Sequence, residues 1–417
     1  MNFVKTYKEG QKGKSVGFPM GKGLQSLSRD IGGVQKKRIY SVAAAPKVGK
    51  TTVVDNGWVI EPCLYYLKNL EELNKIKESL STCEDEKVRD ILNNRFDSLA
   101  SSMQKIKVLY LSYEIDRVSK EFDFSAHFLS RDYGINQVIL PEGKTYKGRN
   151  YVPISSDYLM GNLVYDSENE DVREVITLNP DIEDKLKKVY KNRIVPLFGE
   201  YDENNNKISE GIITLVENRD NPTGIRNSLI AYASRKGTIN YDKTIVGGKE
   251  IKRIVGYTPK DPNLLTLIIT DHIRKLIPER SFTTKQTIDK FSEYCVEFRN
   301  LFHFSFVHII HLNRNMADVQ RRKLDGDQIY PTSDDLKDTG NLSEDSNYIF
   351  TVFNPNDDRY GLNKHFGAII KKPNGDNIYP NMRTIHLVEN RHGDAPLHYR
   401  VNMFGATKQF EKLTINN

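Results

Sequence analysis

Cysteine is scarce. Cys63, Cys83 and Cys295 lie far apart in 417 residues, with no paired spacing, which excludes a disulfide framework and a cysteine zinc site and fits a reducing compartment. Long apolar runs are lacking too: none could span a bilayer, and no signal-peptide pattern follows Met1. No membrane partner is expected. The reading is a cytoplasmic protein, in a host cytoplasm if the source is viral. Charge of one sign is also missing, with 61 Lys and Arg against 55 Asp and Glu and a formal net charge of +6. So small an excess is compatible with a nucleic-acid partner only through a local basic footprint.

The most informative stretch is Arg38 to Thr52, RIYSVAAAPKVGKTT. Ile39 to Val42 favour a strand, small residues make a turn, and Gly49-Lys50-Thr51 opens a helix, the layout of a phosphate-binding loop. Ala45, Pro46, Lys47, Val48, Gly49, Lys50, Thr51 and Thr52 are its expected nucleotide contacts. Backbone N–H groups at a helix start carry partial positive charge and wrap phosphates. Lys50 would reach the β- and γ-phosphates and the Thr51 hydroxyl would hold Mg²⁺. Ala44 stands where the pattern usually has its first Gly, so the match is to the relaxed form. The plainer alternative is an ordinary strand-turn-helix. The expected activity is hydrolysis of a nucleoside triphosphate.

Length alone would suggest two or three domains. The pattern instead divides into a Gly- and Lys-rich basic arm or linker over 1–30 and one motor domain over 31–417, with a turn at Gly32-Gly33. Charged residues 68–105 carry apolar positions at helical spacing, expected as a helical hairpin inserted into the domain. Residues 140–260 read as an enlarged region. It holds short strands at Arg193–Leu197 and Gly211–Val216, a helix from Pro222 to Lys236, and a β-hairpin turning at Gly247-Gly248. Three apolar runs, Lys107–Ser112, Leu264–Thr270 and Val307–Leu312, suit strands buried on both faces of a parallel sheet. Helices are expected over 117–131 and 284–302 and a polar loop over 315–343. Strands follow at Tyr348–Phe353, Phe366–Ile370, Thr384–Val388 and Leu397–Val401. The fold class is α/β, a mainly parallel sheet flanked by helices with antiparallel strands at its end.

Hydrolysis of ATP needs a positioner for water, a carboxylate for the Mg²⁺ shell and cations for developing charge. Asp271 ends a buried strand and is the candidate Mg²⁺ carboxylate beside Thr51. His272 follows it, so the water-activating carboxylate must come from elsewhere. Glu114 ends another buried strand and would face the edge where open α/β sheets bind ligands; the alternative is a solvated strand end. His311, near the end of the third run, is either a γ-phosphate sensor or a satisfied core histidine.

In this order, the blocks AAPKVGKTT (Ala44–Thr52), LYLSYEI (Leu109–Ile115), LIITDHI (Leu267–Ile273), IIHLNR (Ile309–Arg314), SDDLKDTGNLSEDSN (Ser333–Asn347) and ENRHG (Glu389–Gly393) resemble the RecA-like motor of DnaB-type (superfamily 4) replicative helicases. Coverage runs from about Gly17 to about Phe410. The resemblance implies an ATP- and Mg²⁺-dependent, ring-forming, hexameric motor that translocates on single-stranded DNA, 5′ to 3′, during replication, with a primase or loader as partner. Lys50 and Thr51 would bind nucleotide and metal, Glu114 would be the base, Asp271 the second metal ligand and His311 the phosphate sensor. Arg391 aligns with the arginine finger that reaches a neighbouring subunit's ATP; otherwise it is a hairpin-edge surface charge. DNA would be met by Arg274, Lys275 and Lys337. Glu389 departs from the family, which commonly has a second trans-acting Lys there. There is no room before Gly17 for the family's N-terminal helical domain, so assembly would rest on the motor and the short arm. That compact design and the Asn-, Lys- and Tyr-rich composition would suit a bacteriophage. The alternatives are a RecA/RadA-like protein that forms ATP-gated filaments on DNA and, more plainly, a degenerate ATPase kept as an assembly factor.

Overall fold

Strand parity explains the layers. In Ile39–Ala44 (β1) Tyr40, Val42 and Ala44 enter one apolar cluster, while Ile39 and Ala43 enter another on the opposite face. Leu267 and Ile269 against Ile268 divide the same way, as do Val307 and Ile309 against Phe306 and Ile310. A strand alternates its side chains, so a sheet with apolar residues at both parities must be covered on both faces. Helices supply the covers. The computed structural model describes residues 16–167, 173–204, 206–246, 249–312, 326–339 and 341–414.

Besides β1, the central sheet contains β2 (Lys105–Ser112), β3 (Ile213–Val216), β4 (Leu264–Asp271), β5 (Ser305–His311), β6 (Tyr348–Phe353), β7 (Met382–Asn390), β8 (Leu397–Phe404) and β9 (Gln409–Lys412). Their spatial order is β9-β8-β7-β6-β1-β5-β4-β2-β3. The six strands from β6 to β3 run parallel, and β7, β8 and β9 add antiparallel ladders beyond β6. This is the α/β sheet expected from the sequence. One face is covered by the helix after the phosphate loop and by α1 (Arg117–Tyr133), the other by α2 (Pro222–Lys236) and α3 (Thr284–Glu297).

The charged segment after the loop forms two helices, Glu61–Thr82 and Glu86–Ser102, the second opened by Asp85, whose carboxylate accepts from Lys87 and Val88 N–H. None of the second helix's residues is buried, so its charges are a solvated face. The hairpin of 140–260 is long, Gly237–Val246 paired with Lys249–Pro259; its tip, Gly247-Gly248, lies outside the described residues.

Four expectations need correction. The arm does not extend to residue 30: Phe18 bridges Val34, and Met20, Leu24, Leu27 and Ile31 are buried in the first cluster. Leu24, Leu27 and Ile31 already had helical spacing, and residues 1–15, with their Lys8–Lys14 run, lie outside the described residues. Arg193–Leu197 is helical, because Ile194, Leu197 and Phe198 continue the buried stripe of the preceding helix Pro180–Val189. Phe366 and Gly367 form a left-handed turn between two-residue strands, not one strand. The loop expected over 315–343 is described only from Gly326, with 340 omitted, and there it is short helical turns, Ser333–Thr339 and Asn341–Asp345 among them.

Candidate functional site

The phosphate loop lies between β1 and a helix starting at Lys50. Ala44 is still extended and fully buried, which is why a methyl group is tolerated where the general pattern has Gly. Lys47 and Gly49 adopt left-handed φ values of 64° and 109°. At Gly49 a side chain would be strained, and its Cβ would stand 2.4 Å from Met403 Sδ. Val53 N–H donates to Gly49 O at 3.0 Å, so the N–H groups of the first helical residues precede any helical acceptor and face the loop. Arg383 on β7, which sequence reasoning missed, donates Nε to Val48 O at 3.2 Å and Nη1 to Asn354 Oδ1 at 3.0 Å.

Parallel pairing brings the acidic groups to the same edge. Asp271 is level with Ser112 on β2 and Ile309 on β5, Glu114 stands two residues beyond Ser112, and His311 pairs with Ala44. Burial pulls Lys50 below the usual lysine range, opposed by the carboxylates of Asp271 and then Glu114. Burial pushes Asp271 above the usual carboxylate range, with Lys120 the strongest opposing influence. Asp271 Oδ1 is buried with no hydrogen-bond partner among the described residues, which an absent cation would explain. The described residues hold no cluster of three or more His, Cys, Asp or Glu placed for a metal. Two protein ligands, Asp271 and Thr51, suffice for Mg²⁺, which keeps several waters and phosphate oxygens in its shell. The residues therefore fit a nucleoside triphosphate with Mg²⁺.

His272 also belongs here and was passed over in the sequence as a non-carboxylate. It has a left-handed φ of 68°, its Nε2 is 3.9 Å from Glu114 Oε2, and its ring centroid is 4.8 Å from that of His311. Burial lowers both imidazoles, His311 to about 4, so both are neutral at pH 7.

Arg391 is not with them. Its backbone N–H donates to Asn347 O at 3.0 Å, and Asn347 N–H donates to Ile39 O at 2.8 Å. It therefore sits level with the start of β1, at the opposite edge of the sheet. Six strand residues separate it from the loop, about 20 Å at ~3.3 Å per residue. Arg274 is exposed and Lys275 half-buried on the turn after β4, with Lys275 Nζ donating to Tyr113 O at 3.5 Å. Lys337 falls in the Ser333–Thr339 turn with its side chain outside the described residues, as is Arg314.

Behind the loop lies a cluster that no motif flagged. Asp55 Oδ2 accepts from Lys120 Nζ at 2.8 Å and Lys408 Nζ at 2.6 Å, and Asp55 Oδ1 accepts from the Tyr110 hydroxyl at 3.0 Å. Asp123 pairs with Lys408 at 3.0 Å. Asp55 and Lys120 are fully buried. Two ammoniums hold the Asp55 carboxyl below its usual range despite the burial that opposes them.

These features place a loop of phosphate-binding layout at the strand ends of a RecA-like sheet. No protein-family model matches the chain, and no curated protein matches it in sequence. Solved structures do. One, described as an ATPase domain, superposes at a TM-score of 0.54 with 12% identity, over 99% of this chain and 97% of that one. A DnaB-like replicative helicase, described with its interactions with primase, superposes at 0.55 with 12% identity, over 99% of this chain and 67% of that one. The architecture of this chain is thus that of DnaB-like helicase motors.

Proposed function

We propose that the chain is a ring-forming, ATP-dependent DNA helicase that translocates on single-stranded DNA, 5′ to 3′, during replication. The observation that carries this reading is the division between sheet edges. Lys50, Thr51, Glu114, Asp271 and His311 share one edge, while Arg391 stands at the other, about 20 Å away. A cation that far from its own phosphate loop does not act on its own nucleotide but is placed to serve a site on a second copy, which a closed hexameric ring supplies at every interface.

In such a ring the loop N–H groups and Lys50 bind the phosphates, and Glu114 orients the attacking water and takes its proton. His311, neutral and beside Lys50, hydrogen-bonds the γ-phosphate, and Arg391 of the adjacent copy approaches from outside. Thr51 and Asp271 would hold Mg²⁺, which would supply positive charge for the phosphates. Arg274 and Lys275 on the turn after β4, and Lys337 on the Ser333–Thr339 turn, would contact DNA phosphates without reading sequence. A primase or loader is the expected protein partner. Among the described residues no helix is long and apolar enough to cross a membrane.

The test is fork unwinding with ATP and Mg²⁺ on 5′-tailed, 3′-tailed and forked substrates, with Lys50→Ala as control and hydrolysis read in the same tubes. Unwinding that needs a 5′ tail, with hydrolysis raised by single strands, is expected. DNA-stimulated hydrolysis without strand separation would favour a RecA/RadA-like filament instead.

A further inference from the structure

Three separate chain segments bring guanidinium groups together around Asp345–Asn347, at the sheet edge opposite the phosphate loop. Asn347 is the hub. Its Oδ1 accepts from Ile39 N–H at 2.9 Å, next to Arg38, and its carbonyl accepts from Arg391 N–H. Its Nδ2 lies 3.3 Å from His392 Nε2. Two residues earlier, Asp345 O accepts from Arg299 Nη1 at 3.2 Å. The half-buried Arg38 guanidinium donates, among the described residues, to Gln35 Oε1 and Lys37 O.

Little nearby neutralises this charge. Among the described residues Asp345 is the leading carboxylate influence on Arg299, and its Oδ2 already accepts from Ser292 Oγ at 2.6 Å. The exposed Arg391 side chain has no hydrogen bond or ion pair among the described residues. Arg391 and Arg38 each push Arg299 down, after burial, and all three guanidiniums lower His392. Holding like charges this close without counterions is unfavourable in the free chain, and a phosphate chain is the anion that guanidinium forks match best. Glu389, two residues before Arg391, adds a negative charge where the resemblance leads one to expect a second cation.

We propose that Arg299 and Arg38 act with Arg391 as one composite anion site that grips the triphosphate bound by an adjacent copy of this chain, Arg299 supplying the second trans cation that Glu389 does not. This rests on the ring reading above. It adds that the interface uses cations from three chain segments, not a lone finger.

The experiment compares Arg299→Gln, Arg38→Gln, Arg299→Lys and Arg391→Ala in the full chain. It measures single-strand-stimulated kcat and KM, fluorescent-nucleotide affinity, and activity in mixtures with Glu114→Gln. Arg299→Gln should lower kcat about 100- to 1,000-fold, with nucleotide affinity unchanged and partial activity kept by Arg299→Lys. A mixture of Arg299→Gln with Glu114→Gln should exceed the sum of its parts, since the Glu114→Gln copy lends an intact patch to its neighbour's intact carboxylate. If Arg299→Gln and Arg38→Gln keep full kcat while Arg391→Ala loses it, the composite site is refuted and the ring reading stands. Full turnover in Arg391→Ala would overturn both. Loss of nucleotide-free DNA affinity in Arg299→Gln, without rescue on mixing, would reassign the patch to DNA phosphates and overturn the inference. A loss of thermal stability that tracks the loss of kcat, again without rescue, would reduce Arg299 to a structural role and overturn it as well.

Discussion

Replacing Lys120 by Met should destabilise the fold more than almost any surface change could. The side chain is fully buried, bonded to Asp55 Oδ2 at 2.8 Å and to the Tyr110 hydroxyl at 2.9 Å. Methionine fills a similar volume, so packing changes little. What changes is charge: Asp55 and Asp123 are balanced by Lys120 and Lys408, and the variant leaves two carboxylates sharing one ammonium. Breaking a buried pair by removing one partner costs about 3–5 kcal/mol. The double change Asp55→Asn with Lys120→Met restores neutrality, because Lys408 can then pair with Asp123 at 3.0 Å. It should be milder than Lys120→Met alone, with a coupling of about 2 kcal/mol. Urea unfolding of the two single variants and the double variant at pH 7 closes the cycle. A cost below about 1 kcal/mol for Lys120→Met, or additive single changes, would refute the claim that Asp55 depends on Lys120 for its charge. Asp55 lies on the helix that follows the phosphate loop, so nucleotide affinity should fall in parallel.

Arg391→Ala should reduce DNA-stimulated hydrolysis by about a thousandfold or more while nucleotide binding persists, as read by fluorescent-nucleotide titration beside steady-state turnover. Gly49→Ala should weaken nucleotide binding, because a φ of 109° strains any side chain by about 1–3 kcal/mol and the new methyl meets Met403. Adding Met403→Ala removes the overlap but not the backbone strain, so restored affinity in the double variant would show that the clash alone mattered. His308 is fully buried between Phe291 and Phe306, with neither ring nitrogen partnered among the described residues, and burial lowers it to about 3. Its folded value lies below the unfolded 6.5. The unfolded chain therefore binds the extra proton, and stability is lost as pH falls from about 6.5 towards 3. His308→Phe should flatten that dependence in denaturant titrations at pH 7 and 5; an unchanged slope would show that His308 contributes none of it.

What the sequence made legible follows from what is local. The apolar runs of β2, β4 and β5 announce their burial residue by residue, and Gly49-Lys50-Thr51 announces the loop, because each rests on neighbours within one strand or turn. Glu114 and Asp271 could be assigned to one edge because each ends such a run, and parallel strands end on the same side. Phe366-Gly367 and Arg193–Leu197 were misjudged where composition favoured strand but a left-handed turn, or a buried stripe continuing from the preceding helix, decided the conformation. The clusters were illegible for a different reason. Asp55, Lys120 and Lys408 are separated by 65 and 288 positions in the chain, and an isolated lysine on an amphipathic helix or in a turn reads as solvent-facing until the packing is known. Arg38 and Arg299 are likewise unremarkable as single residues. Only the hydrogen bonds that draw Ile39, Asp345 and Arg391 to one corner make them a unit. A motif can thus nominate Arg391 but not its companions. The three guanidiniums they concentrate, set against the carboxylates of Asp345 and Glu389, are what make a phosphate-bearing partner at that edge a physical expectation rather than an analogy.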